Sequence, residues 1–138
     1  MEGASLARQV PYQGIALQRA ATATGTGTTA DASGLHGAQV VELLNTGTGN
    51  ALGTLLGSYD GVNWYGIRYA VLASGTTSPV TPTASPVTTI GVLSIAAAGS
   101  AGAIQLITLI DYYPKVQFSI GTANAGCSIN ATLHALPV

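Results

Sequence analysis

Charged side chains are scarce in this chain of 138 residues. They make up 7% of the sequence, whereas about 25% is usual in a soluble domain. Binding to nucleic acid or to an anionic membrane surface needs a cluster of basic residues. The basic residues of this chain are instead scattered: Arg8, Arg19, Arg68 and Lys115. We therefore expect neither nucleic acid nor a membrane as a partner, while the 47% of hydrophobic residues predicts a folded core.

The residues that usually perform chemistry are also few. A single cysteine, Cys127, excludes an intrachain disulfide and a cysteine-based metal site. The two histidines, His36 and His134, come without a nucleophile motif or a phosphate-binding loop. The acidic residues lie far apart in the sequence: Glu2, Asp31, Glu42, Asp60 and Asp111. We therefore expect no enzymatic activity, no metal site and no cofactor.

No charged residue lies between Arg68 and Asp111, and residues 90 to 110 could cross a bilayer if they were helical. The alternative is two buried strands joined by a turn. The glycines of AAAGSAGA are typical of a turn, the flanking segments are rich in β-branched residues, and no basic cluster borders the stretch. These features favour two strands over a membrane span.

Glycine and threonine are abundant where charge is lacking, and they are typical of turns and strands respectively. Strands are predicted at residues 38–45, 51–59 and 62–72, the first two as a hairpin, followed by a proline-containing loop at 73–89. The last two predicted strands alternate strictly between apolar and polar residues, which is typical of a half-buried antiparallel sheet. Their apolar residues are Val116, Phe118 and Ile120, then Ile129, Ala131, Leu133 and Ala135. Seven or eight short strands predict an antiparallel β-sandwich, of which the jelly roll is one form.

Residues 1–37 have a weaker strand pattern than the rest. They combine apolar residues near Pro11 and Gly14 with a Gly/Thr/Ala tract, which disfavours a continuous helix. We interpret 1–37 as an extended N-terminal arm and 38–138 as the β-sandwich domain. The apolar residues of the arm are predicted contacts to neighbouring subunits: Leu6, Val10, Tyr12, Ile15 and Leu17.

The stretch GSYDGVNWY, residues 57–65, has two interpretations. In the first, Asp60 and Gly61 turn the chain and Trp64 is buried in the core, where it anchors the returning strand. In the second, exposed rings stack on a sugar; the candidates are Trp64, Tyr59, Tyr65 and Tyr69. Burial is the usual fate of a large aromatic side chain on a strand, so the structural corner is favoured.

This stretch also carries a resemblance to known proteins. The run LGTLLGSYDGVNWYGI is similar to a pattern of bacteriophage virion proteins, a strand that ends in GS-x-DG-x-x-W followed by a second strand. Such proteins continue with a YP-x-V-x-F strand and a closing alternating strand, positions held here by residues 113–118 and 128–136. A similar turn forms a structural corner in galactose-binding-like sandwiches of the discoidin type. The resemblance to virion proteins covers roughly residues 20–138.

The resemblance implies a capsid decoration (cement) protein. Such proteins are often trimers on the outer capsid surface, and their N-terminal arms reach neighbouring subunits. The implied partners are the major capsid protein and further copies of this chain, in a virion protein made in the host cytoplasm. A tail or fibre component, or a carbohydrate-binding adhesin module that uses Trp64 and the nearby tyrosines, is the alternative.

Overall fold

The computed structural model describes residues 13–35 and 37–135, and in these ranges the chain forms strands and loops without a helix. A seven-stranded sheet contains β1 (Gln13–Ala21), β3 (Gln39–Asn45), β6 (Tyr69–Gly75), β7 (Thr81–Pro82), β8 (Thr88–Thr89), β10 (Ile104–Leu109) and β12 (Ile129–Ala135). A five-stranded sheet contains β2 (Ala30–Asp31), β4 (Ala51–Ser58), β5 (Tyr65–Gly66), β9 (Val92–Ile95) and β11 (Lys115–Ala123). All pairings between strands are antiparallel.

The strand order is that of a jelly roll with an insertion. One sheet contains the order β1-β12-β3-β10, and the other contains β2-β11-β4, with β9 also paired with β4. Along the chain, these eight strands alternate between the two sheets. The exception is β9, which follows β4 in this set and lies in the same sheet as β4. Eight strands in two such sheets make a jelly roll. Residues 59–91, between β4 and β9, form the insertion and contain β5 to β8.

The core lies between the two sheets and follows the period-two pattern of the sequence. Alternate residues of β11 and β12 are fully buried, as their apolar alternation predicted. Phe118 is fully buried in this core, and its ring packs against the backbone of Gly53 on the paired strand β4. A side chain at that glycine would overlap the ring, so the close approach requires glycine there.

The predicted all-β antiparallel sandwich is confirmed. Residues 90–110 contain β9, a turn and β10, which is the predicted arrangement of two strands joined by a turn. In the described part of the chain there is no helix with the length and apolar character needed to cross a membrane.

The predicted hairpin of residues 38–45 with 51–59 is wrong. Strand β3 belongs to the seven-stranded sheet and β4 to the five-stranded one, so the TGTGN connection crosses between sheets. The alternation of apolar and polar residues along a strand predicts which side chains are buried. It does not predict which of the two sheets contains the strand, because the pattern is the same in both. The predicted strand at 62–72 is also interrupted, because residues 67 and 68 separate β5 from β6, which lie in different sheets.

Part of the segment interpreted as an N-terminal arm belongs to the sandwich. Leu6, Val10 and Tyr12 lie outside the described residues. Ile15 and Leu17 lie in β1, which pairs along β12, and Leu17 is fully buried in the core of its own domain. Strand β2 likewise pairs with β11. The described residues before residue 37 are therefore part of the sandwich, and burial removes Leu17 from the candidate contacts to a neighbour.

Candidate functional site

The corner that follows β4 is held by one carboxylate. Asp60 Oδ1 accepts hydrogen bonds from the backbone N–H groups of Val62 (2.8 Å) and Asn63 (2.9 Å) and from the hydroxyl of Ser58 (3.0 Å). Its Oδ2 accepts another from the side-chain amide of Asn63 at 2.9 Å. These bonds, those from Asn63 and Val62 above all, hold the pKa of Asp60 far below its usual value. Gly61 follows with φ of +80°, a conformation that favours glycine.

The corner directs aromatic rings outward. Tyr59 is 69% exposed and Tyr65 is 53% exposed, on either side of the Asp60 turn. Val62 at the tip is 78% exposed. Side chains of this size are usually covered in a folded domain, so the corner presents an unusual apolar surface.

A third tyrosine, from the loop between β10 and β11, completes this surface. The ring centroid of Tyr113 lies 5.2 Å from that of Tyr59, in a tilted arrangement, and 6.3 Å from that of Tyr65, with nearly parallel planes. The Tyr113 ring lies against the backbone of Gly57, where any side chain would overlap it. We call Tyr59, Tyr65 and Tyr113 the tyrosine cluster. The jelly-roll insertion supplies two of its members, and the jelly roll itself supplies the third.

An ion pair lies beside the cluster. Arg68 Nη2 donates to Asp111 Oδ1 at 2.6 Å, Arg68 Nε donates to the same carboxylate at 3.1 Å, and the Arg68 backbone N–H donates to Oδ2 at 3.0 Å. Burial raises the pKa of Tyr113, and so do the nearby Asp111 carboxylate and the Tyr59 and Tyr65 phenols. The three phenol groups and the ion pair therefore lie close enough together to act on one another.

The structure places the predicted corner residues in two different roles. Asp60 and Gly61 form the turn. Trp64 is only half-buried and is not part of the core cluster, which differs from its predicted burial in the core. Tyr69, a candidate for the sugar platform, is buried in the core. Tyr113 was not among the site residues predicted from the sequence. The spacing of 48 residues between Tyr65 and Tyr113 leaves no local signal for their contact.

A second exposed surface is the outer face of the seven-stranded sheet. Its outward residues on β3, β10 and β12 are mostly apolar or hydroxylated, and we call them the outer face: Val40, Leu44, Ile104, Leu106, Thr108 and Thr132. Glu42 and His134 also point outward on this face and are hydrogen-bonded to each other. Burial lowers the pKa of His134, so near neutral pH the imidazole is uncharged and Glu42 carries the one charge among these outward side chains. A groove of about 290 Å³ on this face is bordered by Leu44, Ile104 and Val80. The outer face therefore carries little net charge.

Comparisons with known proteins add a likeness of fold. No protein-family model matches the chain, and no curated protein matches it significantly. Its structure resembles the crystal structure of the SPBc2 prophage-derived protein YomS, with a TM-score of 0.56 and 9% sequence identity. The likeness covers 91% of this chain and 94% of that protein. At this identity, the likeness concerns the fold alone. Among the described residues, no group of three or more His, Cys, Asp or Glu side chains could hold a metal ion.

Proposed function

We propose that the chain is a non-enzymatic phage virion protein that decorates and stabilises a capsid through contacts that bridge subunits. The outer face carries this proposal. It is a broad sheet surface made mostly of apolar and hydroxylated side chains, and Glu42, its one charged side chain near neutral pH among the described residues, is hydrogen-bonded to His134, so covering the surface desolvates little charge. Partners in this role are the major capsid protein and further copies of this chain as a homotrimer, on the outer capsid surface of a virion assembled in the host cytoplasm.

Two further observations support a phage role. Jelly rolls are common in viral capsids, although a fold alone does not establish a function. The similar fold of YomS belongs to a prophage-derived protein, and the likeness spans nearly all of both chains. Both observations are equally consistent with a tail or fibre component, so the experiment tests attachment to the capsid.

The experiment is cosedimentation with empty capsids assembled from the major capsid protein of the same phage. Leu44→Glu adds a charge to the outer face, and Val92→Glu adds the same charge to an exposed residue of β9, in the five-stranded sheet. We expect Leu44→Glu to lower the bound fraction at least about tenfold, because a buried unpaired charge weakens an interface by several kcal/mol. The Val92→Glu control should bind like the wild type. Equal binding of all three proteins, or no binding at all, would refute the proposal.

The arm is tested separately. Removing residues 1–12 leaves β1 and its pairing with β12 in place, so the sandwich should keep its thermal stability. The removed segment includes Leu6, Val10 and Tyr12, and we expect weaker attachment to capsids. Unfolding measured by circular dichroism serves as the control. Attachment equal to that of the full chain would remove the arm from the proposal while leaving the outer face in it.

A further inference from the structure

Half of the tyrosines of this chain meet at one corner. The chain contains six tyrosines, and three of them lie together at the corner after β4. Tyr59 and Tyr65 are exposed and lie outside the buried core cluster, whereas Tyr113 is partly buried and packs against that cluster. Exposed aromatic rings gathered at one point of a surface are a feature of binding sites.

The backbone that carries the cluster is held in place. Asp60 accepts hydrogen bonds from the backbone N–H groups of Val62 and Asn63, between Tyr59 and Tyr65. The Tyr113 ring packs against the backbone of Gly57 on β4. A backbone that is already ordered loses little conformational entropy on binding, which favours affinity from stacking contacts.

Charged groups of both signs lie beside the rings. Arg68 and Asp111 form a pair that is neutral as a unit, and Lys115 lies near Gly61 and opposite Asp31 on the paired strand. Arg68 uses Nε and Nη2 in this pair, and Nη1 has no hydrogen-bond partner among the described residues. A guanidinium held in place by a carboxylate offers a directed donor without a net charge. Polyanions such as nucleic acids gain nothing from such a surface.

We infer that the tyrosine cluster, together with the Arg68–Asp111 pair, is a binding site for the ring of a neutral pyranose sugar. The C–H groups on one face of the ring stack on the exposed Tyr59 and Tyr65, while its hydroxyl groups bond with Arg68 Nη1 and the phenol groups. Aromatic side chains combine the apolar face and the polar edge that a sugar requires. This inference goes beyond the proposed capsid role and does not depend on it.

The test is saturation-transfer NMR on the full chain with four methyl glycosides, those of glucose, galactose, mannose and N-acetylglucosamine. N-acetylneuraminic acid is the anionic control. We expect transfer to the C–H protons of at least one neutral pyranoside and weaker transfer to the acid. No transfer to any of the four, or stronger transfer to the acid, would overturn the inference.

Variants assign the signal to the cluster. We expect Tyr59→Ala and Tyr65→Ala to weaken binding about fivefold to tenfold each, because each removes one stacking ring. Tyr65→Phe keeps the ring and should retain most of the affinity. Val87→Ala, at an exposed apolar residue of the insertion outside the corner, is the matched control and should leave binding unchanged.

Two outcomes of the variant series would overturn the inference. Sugar binding that survives both alanine variants would place the sugar elsewhere on the protein. Loss of an oligomer in Tyr65→Ala, seen by light scattering, without any sugar binding by the wild type, would make the cluster a contact between copies of this chain. Both alanine variants change side chains that are more than half exposed, so their folding can be verified by circular dichroism.

Discussion

The two ends of the β4–β11 ladder are built in opposite ways. At one end, Ala51 pairs with Ala123, and the adjoining loops pack backbone against backbone. A side chain at Gly47 would overlap the carbonyl oxygen of Gly126, and one at Gly49 would overlap that of Ala125. We call these loops, residues 46–50 and 124–128, the glycine end. The exposed side chains of this end are small or polar, among them Thr48, Asn50 and Asn124, so it presents no aromatic ring to solvent.

A buried amide organises the glycine end. Asn45, which is 1% exposed, uses both of its N–H donors and both lone pairs of its oxygen. Its Nδ2 donates to the carbonyl oxygens of Gly49 (2.7 Å) and Ala96 (2.9 Å), and its Oδ1 accepts from the backbone N–H groups of Gly47 (2.9 Å) and Ser128 (3.2 Å). One side chain therefore joins three loops by bonds that water cannot replace without opening the structure.

At the other end of the ladder, Ser58 pairs with Lys115, and the tyrosine cluster lies just beyond. Its organising side chain, Asp60, is exposed and bonds only within its own corner and to Ser58. The same two strands therefore connect an end that is organised by the hydrogen bonds of a buried amide to an end at which the rings of Tyr59 and Tyr65 face solvent. The difference suggests that the glycine end maintains the fold and the tyrosine end is available for binding.

The largest expected effect is that of removing the buried amide. Asn45→Ala leaves two N–H groups and two carbonyls without their partner, and we expect it to lower the free energy of unfolding by about 3 to 4 kcal/mol. Asn63→Ala is the matched substitution at the tyrosine end, where it removes one exposed bond to Asp60. Its effect should stay below about 0.5 kcal/mol. Urea unfolding measures both, and equal losses would contradict the division between the two ends.

A glycine pair sharpens the comparison. In Gly47→Ala the new methyl group meets backbone that cannot move independently, and we expect a loss of about 2 to 3 kcal/mol in the free energy of unfolding. In Gly57→Ala it meets the ring and the Cβ atom of Tyr113, so rotation of the ring alone does not relieve the overlap and the loop that carries Tyr113 must shift. We therefore expect a loss of about 1 to 2 kcal/mol, smaller than that of Gly47→Ala, together with weaker pyranoside binding because Tyr113 is displaced from the cluster. Thermal unfolding and saturation-transfer NMR separate the two effects.

The reverse pattern would contradict this prediction. If Gly57→Ala unfolded the protein while Gly47→Ala were tolerated, Tyr113 would be the structural anchor and the glycine end would be adaptable. A Gly57→Ala variant that kept full sugar binding would show that Tyr113 is dispensable for the cluster.

The parts of the fold that could be predicted are those set by neighbours in sequence. The alternation of Val116, Phe118 and Ile120 predicted the buried face of β11, because a strand turns one residue in two toward the core. The Asp60-Gly61 turn was predictable for the same reason, since its bonds span two or three residues. The sheet to which each strand belongs was not, because the alternation is identical in either sheet.

The glycine end and the candidate site both depend on contacts between distant residues, so most of their arrangement could not be predicted. Asn45 bonds to residues 51 and 83 positions away, and an asparagine before TGTGN is typical of an ordinary turn. Tyr113 joins the cluster only because β11 pairs with β4 and brings its ring over Gly57. The aromatic content of GSYDGVNWY indicated the right region, but the exposed rings are tyrosines and Trp64 is half-buried.

The smallest expected effect concerns the charge of Asp60. Hydrogen bonds, first those from the backbone of Asn63, hold the pKa of Asp60 in the folded protein below its unfolded value of about 3.9. Because the pKa is lower in the folded state, the carboxylate stabilises the fold fully above the unfolded pKa. This stabilisation is lost as the pH falls from the unfolded pKa toward the lower pKa of the folded state. Asp60→Ala should therefore melt at a lower temperature than the wild type at pH 6, and the difference should shrink below about pH 4.

Melting curves of the wild type and Asp60→Ala between neutral pH and about pH 2 measure this difference directly. Asp31→Ala is a useful comparison, because its carboxylate also has a lowered pKa, held by Ser33 in a separate turn. The same acid dependence should appear for that variant, but pyranoside binding should fall only in Asp60→Ala, whose corner carries Tyr59 and Tyr65. A gap between Asp60→Ala and the wild type that stayed constant down to the lowest pH would mean that the corner is held by its backbone conformation and that the charge of Asp60 contributes nothing.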